Sequence, residues 1–251
     1  MRIDLLTFSS ALIASALFLS GCEKEDKNAI SMSEVNNGVS IIVGSSGQEY
    51  EVVDLGLPTG LLWAKCNLGA TSPEQSGHFY SWGELQPKTN FNWSNYKLCN
   101  DDQFSFTKYS LIKDRGYMEF VDEKTILEKE DDAVNKLLGG NWQIPSKEDY
   151  AELLYRCDKK FCKLNKVWGC LFTSKQKGYE ENSIFIPLAG RMDLTESKFA
   201  GKYGFYWSTG LDKTETAFVL WLDNIDGFDN AVNSKSVERY LGLPIRPVTR
   251  P

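Results

Sequence analysis

Gly139-Gly140-Asn141-Trp142-Gln143-Ile144-Pro145-Ser146-Lys147-Glu148-Asp149-Tyr150 closes one helix signal and opens the next. Upstream, the carboxylates of Asp131 and Asp132 suit a helix N-terminus, Val134, Leu137 and Leu138 fall on one face, and Gly139-Gly140 supplies the stop. Downstream, Pro145 precedes a capping box of Ser146 with Asp149, and Tyr150, Leu153, Leu154 and Cys157 recur at i, i+3, i+4 and i+7. Two short helices are predicted, each with an apolar face that needs a sheet to cover it. Strand signals lie on both sides. Residues 50–55 and 61–66 flank the Gly/Pro turn Gly56-Leu57-Pro58-Thr59-Gly60 and read as a hairpin. Beyond Lys166, short runs at 169–173, 183–188, 204–208, 216–222 and 243–248 read as strands; Ala217-Phe218-Val219-Leu220-Trp221-Leu222, apolar on both faces, suits a buried central one. Residues 84–129 show no sustained period and read as a loop-rich insertion carrying Trp93, Tyr96 and Tyr109. The composite is α+β: two short helices packed on small antiparallel sheets, with no internal repeat.

The N-terminus carries a different signal. An apolar run from Leu5 ends at Leu19-Ser20-Gly21-Cys22, with Arg2 ahead of it and Asp4 partly offsetting that charge. A run of about fifteen residues is too short to span a bilayer comfortably and has the form of a signal-peptide core. Small residues ending in cysteine mark lipoprotein cleavage and lipidation, so residues 1–21 read as signal peptide and Cys22 as the lipid-attachment site. The expected partner is a membrane, engaged through acyl chains. Residues 22–47, polar and rich in Ser, Asn and Gly, read as a flexible linker, leaving 48–251 as one domain.

The net charge of −6 comes without a basic stripe, so no nucleic-acid partner is expected. Beside Cys22 the chain has Cys66, Cys99, Cys157, Cys162 and Cys170, whose spacing fixes no connectivity. Cys157, Cys162 and Cys170 lack the CxxC pair and the histidine of a zinc site. The single histidine, His78, has no GxSxG or SxxK motif to support a nucleophile, and Asp131-Asp132 and Glu148-Asp149 are better explained by helix starts than by acid–base chemistry. No catalytic residue, enzyme activity or cofactor is expected. Asp223, Asn224, Asp226 and Asp229 are weak calcium candidates on a loop after an apolar strand. That loop fails as an EF-hand, because Leu222 takes the first ligand position and Asn233 the last, so an ordinary hairpin loop without metal is the expectation. Trp63, Trp142, Trp207 and Trp221 sit in apolar segments and read as core. Trp93 and Tyr96, within a polar stretch, are the candidates for stacking on a sugar or peptide.

Several segments in order resemble the Fibrobacter succinogenes major paralogous domain, common in surface lipoproteins of gut and oral Bacteroidetes. They are Val53-Asp54-Leu55-Gly56-Leu57-Pro58-Thr59-Gly60-Leu61-Leu62-Trp63-Ala64-Lys65-Cys66-Asn67-Leu68-Gly69-Ala70, then Ser81-Trp82-Gly83-Glu84 and Glu130-Asp131-Asp132-Ala133. The helix-opening stretch quoted above follows, then Ile184-Phe185-Ile186-Pro187-Leu188-Ala189-Gly190-Arg191, Tyr206-Trp207-Ser208 and Ile245-Arg246-Pro247-Val248. The resemblance implies a C-type-lectin-like fold, distantly related to sulfatase-modifying-factor domains, with chain termini close together as neighbouring strands. Because the family often carries both cysteines, it also implies a Cys66–Cys157 disulfide. Thr209-Gly210, where a further Ser is usual, and the extra Cys162 and Cys170 depart from the pattern. The paired cysteines of the oxidase branch are absent. Acidic residues after Cys22 resemble the signal that sends such lipoproteins to the cell-surface side of the outer membrane. The function expected is a non-catalytic, surface-anchored recognition or adhesion module for glycan or protein. The alternatives are a structural accessory subunit of a fimbrial or polysaccharide-uptake assembly and a cryptic enzyme of the sulfatase-modifying-factor-like fold.

Overall fold

The computed structural model describes residues 26–44, 47–224 and 235–250. Helix starts are set by carboxylates that reach backbone donors. Asp132 Oδ1 accepts from the N–H groups of Val134 (2.8 Å) and Asn135 (3.0 Å), and its Oδ2 accepts from Ile144 N–H (2.8 Å), so one buried side chain caps α2 (Ala133–Leu138) and ties down the segment after it. Helix α3 (Lys147–Arg156) opens on the reciprocal pair of Ser146 Oγ with Asp149 N–H (3.0 Å) and Asp149 Oδ2 with Ser146 N–H (2.8 Å), and it buries Tyr150 and Leu153. Leu137, expected on the buried face, is 48% exposed; α2 ends within two turns, at Gly139 with φ 72°, and it is Ala133, Val134 and, partly buried, Leu138 that meet the core.

The strands are β1 (Ala29–Ile30), β2 (Val39–Val43), β3 (Glu49–Asp54), β4 (Leu62–Ala64), β5 (Cys157–Leu164), β6 (Val167–Ser174), β7 (Ser183–Pro187), β8 (Arg191–Asp193), β9 (Glu196–Lys198), β10 (Tyr203–Lys213), β11 (Thr216–Asp223), β12 (Ser236–Glu238) and β13 (Val248–Thr249); a third helix, α1 (Met32–Val35), precedes β2. They form small sheets ordered β1-β5-β6-β7, β10-β11-β12, β13-β4-β3-β2 and β8-β9, an α+β architecture. The expected hairpin is β3 with β4, and the expected central strand is β11. Along the β3–β4 hairpin the side chains alternate between two cores. Val52, Leu62 and Ala64 join Trp82, Trp142 and Trp207 on one side, while Val53, Trp63 and Val248 join Tyr150, Leu153 and Tyr206 on the other. The β3–β4 part of this sheet is therefore buried on both faces, between the two largest cores.

Several expectations are corrected. Residues 29–43 are not a flexible linker: β1 pairs in parallel with β5, β2 pairs with β3, and Ile30 and Val35 bury against Cys162, Leu164, Leu171 and Phe185. The apolar residues scattered among Ser, Asn and Gly carry that docking, so the folded unit begins before residue 48. The terminal strands are not neighbours and do not share a sheet: β1 pairs with β5, whereas β13 pairs with β4 in the sheet that β2 and β3 complete. Of the expected 243–248 strand, only Val248 joins β13, while Leu243 makes an isolated bridge to Tyr80. Cys66 and Cys157 are both free thiols: Cys157 is sealed in the core beside Tyr150 and Phe172, whereas Cys66 is half-buried at the surface.

The insertion has no strand, yet it does not merely wrap the surface. Phe91, Tyr96, Phe106 and Tyr109 are fully buried. Tyr96, Phe106 and Tyr109 converge on Arg239, itself fully buried, whose Nε donates to Tyr96 Oη (2.9 Å) and whose terminal nitrogens donate to the carbonyls of Tyr109 (3.0 Å), Thr214 (2.6 Å) and Lys108 (3.1 Å). The rings of Phe106, Trp82, Tyr96 and Tyr109 surround the guanidinium at 4.5, 5.0, 5.3 and 5.8 Å. Arg246 is buried too, and its terminal nitrogens donate to the carbonyls of Ala64 (3.0 Å), Lys65 and Phe185 (2.8 Å), while its Nε has no hydrogen-bond partner among the described residues.

Replacing Arg239 by Met leaves four oxygens without their donor, at about 1–3 kcal/mol for each that water does not reach. Urea unfolding of Arg239→Met is therefore expected to show a stability loss of at least about 3 kcal/mol. A midpoint equal to that of the parent protein would contradict the assignment.

Candidate functional site

A cleft of about 620 Å³ opens beside Trp142, between the start of α3, the end of the insertion and the C-terminal residues. Trp142 is held edge-on against Tyr50, with ring centroids 5.2 Å apart, and forms the wall between this cleft and a second of about 410 Å³ lined by Cys66, Asn67 and Leu138. The larger cleft is lined by Lys129, Asn141, Gln143, Thr209 and Arg250. Among the described residues, none of these five side chains forms a hydrogen bond or ion pair. Most other polar groups near them are committed: Asp132 gives both oxygens to backbone N–H groups, Ser146 Oγ accepts from Asp149, and Asn135 Nδ2 donates to the carbonyls of Gly140 and Trp142. Two amides, a hydroxyl and two cations thus face solvent, with Ile126 and Trp142 beside them. That set can donate to and accept from a hydroxyl-rich ligand and can neutralise an acidic group on it.

The residues singled out from sequence fall elsewhere. Tyr96 cannot stack on a ligand: it is buried, its hydroxyl donates to the Trp82 carbonyl (2.7 Å) and it accepts from Arg239. Trp93 is half-buried and packs on Tyr240, Phe106 and Tyr96 at 4.8, 5.5 and 5.8 Å. The polar neighbours that suggested a solvated loop satisfy one another locally. Asn92 Oδ1 accepts from Ser94 Oγ (2.6 Å) and Asn95 N–H (3.1 Å), capping a single 3-10 turn. Trp63, Trp142 and Trp207 are core, as expected. Trp221 is half-buried at the margin of the core: it packs on the buried Phe205 (4.7 Å) and on Tyr203 (5.8 Å), beside the 43%-exposed Phe199, with Lys235 over its ring at 4.8 Å.

His78 is exposed, with its ring 6.5 Å from that of Tyr80. Asp223 ends β11, and Asn224 N–H donates to the Lys202 carbonyl (3.2 Å); Cys22, Asp226 and Asp229 lie outside the described residues. Among the described residues no three His, Cys, Asp or Glu side chains gather as a metal site would need. Burial pushes the thiols of Cys99 and Cys157 up to about 11 and 12 and raises those of Cys66, Cys162 and Cys170 as well, which opposes thiolate formation at neutral pH.

The cleft residues come from three separated parts of the chain, so no single window of sequence displays them. The one local signal is Asn141-Trp142-Gln143, where polar side chains flank a buried aromatic. If the thiols are disposed as described, alkylation of the native protein without reductant labels Cys66 first, and labelling at Cys99, Cys157, Cys162 and Cys170 follows unfolding. A Cys66–Cys157 crosslink in a non-reducing peptide map would contradict this. No family model, no curated protein and no solved structure matches the chain.

Proposed function

We propose that this chain is a surface-anchored lipoprotein, tethered to the outer membrane through Cys22, whose domain recognises a glycan without altering it. The observation that carries this reading is the Trp142 cleft, in which Lys129, Asn141, Gln143, Thr209 and Arg250 hold their polar groups free of intramolecular partners among the described residues. A glycan presents many hydroxyls at fixed angles, and uncommitted amides beside an apolar wall match that pattern. The two cations favour a carboxylated or sulfated sugar over a neutral one. Resemblance to the Fibrobacter succinogenes major paralogous domain, with its C-type-lectin-like fold, supports the reading, as do the small sheets and few helices of the chain. Raised thiol pKa values and the commitment of the helix-start carboxylates to backbone donors favour binding over catalysis.

A second reading, an accessory subunit of a surface assembly, is favoured by the Phe199, Tyr203 and Trp221 cluster, which has the aromatic character of protein interfaces.

A glycan array probed with the protein is expected to retain acidic oligosaccharides with or without calcium. One lost hydrogen bond costs about 1 kcal/mol, so Asn141→Ala and Gln143→Ala are each expected to weaken binding by about fivefold. Arg250→Ala removes a charge-assisted contact and weakens it further. Trp93→Ala leaves it unchanged. Silence across the array, or binding lost on Phe199→Ala and untouched by the cleft variants, would reject the cleft reading. Cys22→Ala is expected to move the protein from the membrane fraction to the soluble one, and retention at the membrane would reject the anchor.

A further inference from the structure

The sheet β13-β4-β3-β2 has one covered margin and one open one. On the β13 side Gln143 and Val248 exchange backbone bonds of 2.9 and 3.1 Å. On the other side stands β2, Val39-Ser40-Ile41-Ile42-Val43. Which of its groups point outward follows from two bonds. Gly44 N–H donates to the Gln48 carbonyl (2.8 Å), and Lys65 N–H donates to the Glu51 carbonyl (2.9 Å). In an antiparallel ladder these bonds alternate, so Tyr50 and Val52 turn to Ile42 and Ser40, while Glu51 and Val53 turn to β4. The N–H and C=O groups of Ile41 and Val43 therefore point out of the sheet, and among the described residues no segment bonds them. Their side chains are 60% and 67% exposed. The strand has none of the charges, prolines or bulges by which proteins blunt an open edge.

We infer that the open edge of β2 pairs with β2 of a second copy of this chain, antiparallel about a two-fold axis at Ile41. Charge favours this occupant. Residues 38–47 carry no charged side chain in a chain of net charge −6, so two acidic molecules can meet here without like-charge contact at the seam. Register favours it too. A two-fold at Ile41 sets Ile41 against itself and Val39 against Val43, so each outward-pointing residue meets a β-branched partner. The Ile41 pair exchanges two bonds, and each Val43 N–H donates to the partner's Val39 carbonyl; Val39 N–H is already held by Asn36 O at 3.4 Å. A seam one strand wide buries little area, so association in free solution is weak and is favoured where copies share one surface. The inference stands independently of the Trp142 cleft.

Site-specific crosslinking of the full chain in a Cys66→Ser background tests it. Paired Ile41 Cα atoms would lie about 5.5 Å apart, within disulfide reach. The two Val43 residues would be about 14 Å apart, at about 3.4 Å per residue along the strand, and beyond it. Ile41→Cys is expected to oxidise to a covalent dimer at least about tenfold faster than the more exposed Val43→Cys, and a mixture of Val39→Cys with Val43→Cys is expected to crosslink where neither does alone. Equal rates for Ile41→Cys and Val43→Cys, no dimer from Ile41→Cys, or no product from the mixture would each overturn the proposal.

Discussion

Among the described residues two guanidinium ions are buried, those of Arg239 and Arg246, and distant segments of the chain converge to supply neutral oxygens to their donors. Removing a charge from water is costly, and hydrogen bonds, dipoles or rings must replace the lost hydration. At Arg239 the partners come from Lys108, Tyr109, Thr214 and Tyr96, so a long irregular insertion, the β10–β11 turn and the segment after β12 close on a single side chain. At Arg246 the partners come from Ala64, Lys65 and Phe185, so the β4 end is held to β7. An ammonium could not do the same work, because only the planar fork presents donors to several segments at fixed angles. The backbone of the insertion shows the demand placed on it: Tyr109 takes a left-handed φ of 58° while its N–H donates to Asp122 (2.8 Å) and its hydroxyl is held between Asp131 and the Glu128 N–H.

Features set by neighbours in sequence were legible. Capping at Ser146 with Asp149 and at Asp132 is local chemistry, and both helices begin at the residues these pairs predict. The β3–β4 hairpin and the central β11 follow from runs of apolar residues bounded by turn residues or aligned on both faces. Features set by distant partners were not. The strands and short helix of residues 29–43 were hidden because Ile30, Val35 and Val39 are spaced among polar residues, and only docking on β5 and β3 orders them. Strand β5 begins at Cys157, where the apolar spacing of α3 still runs, and its lysines conceal an alternation that only its pairing with β6 reveals. Tyr96 was misplaced for a related reason: Asn92, Ser94 and Asn95 bond one another, so a polar stretch conceals a buried ring.

The same contrast separates the structural polar groups from those of the cleft. Asp132, Asn135, Ser146, Arg239 and the terminal nitrogens of Arg246 have their hydrogen bonds within the chain. Asn141, Gln143 and Arg250, a few residues away, have none within the described chain, although the backbone at Gln143 is fixed through its bonds to Val248. A rigid frame presenting uncommitted donors and acceptors is the condition for recognising a ligand with little ordering cost.

The most direct test of that claim is a backbone amide chemical-shift map of the isotopically labelled protein titrated with an acidic oligosaccharide. The account predicts perturbations concentrated at Lys129, Asn141, Gln143, Thr209 and Arg250, saturating together. Perturbations centred on Phe199, Tyr203 and Trp221, or on Trp93, with the cleft unmoved, would contradict it.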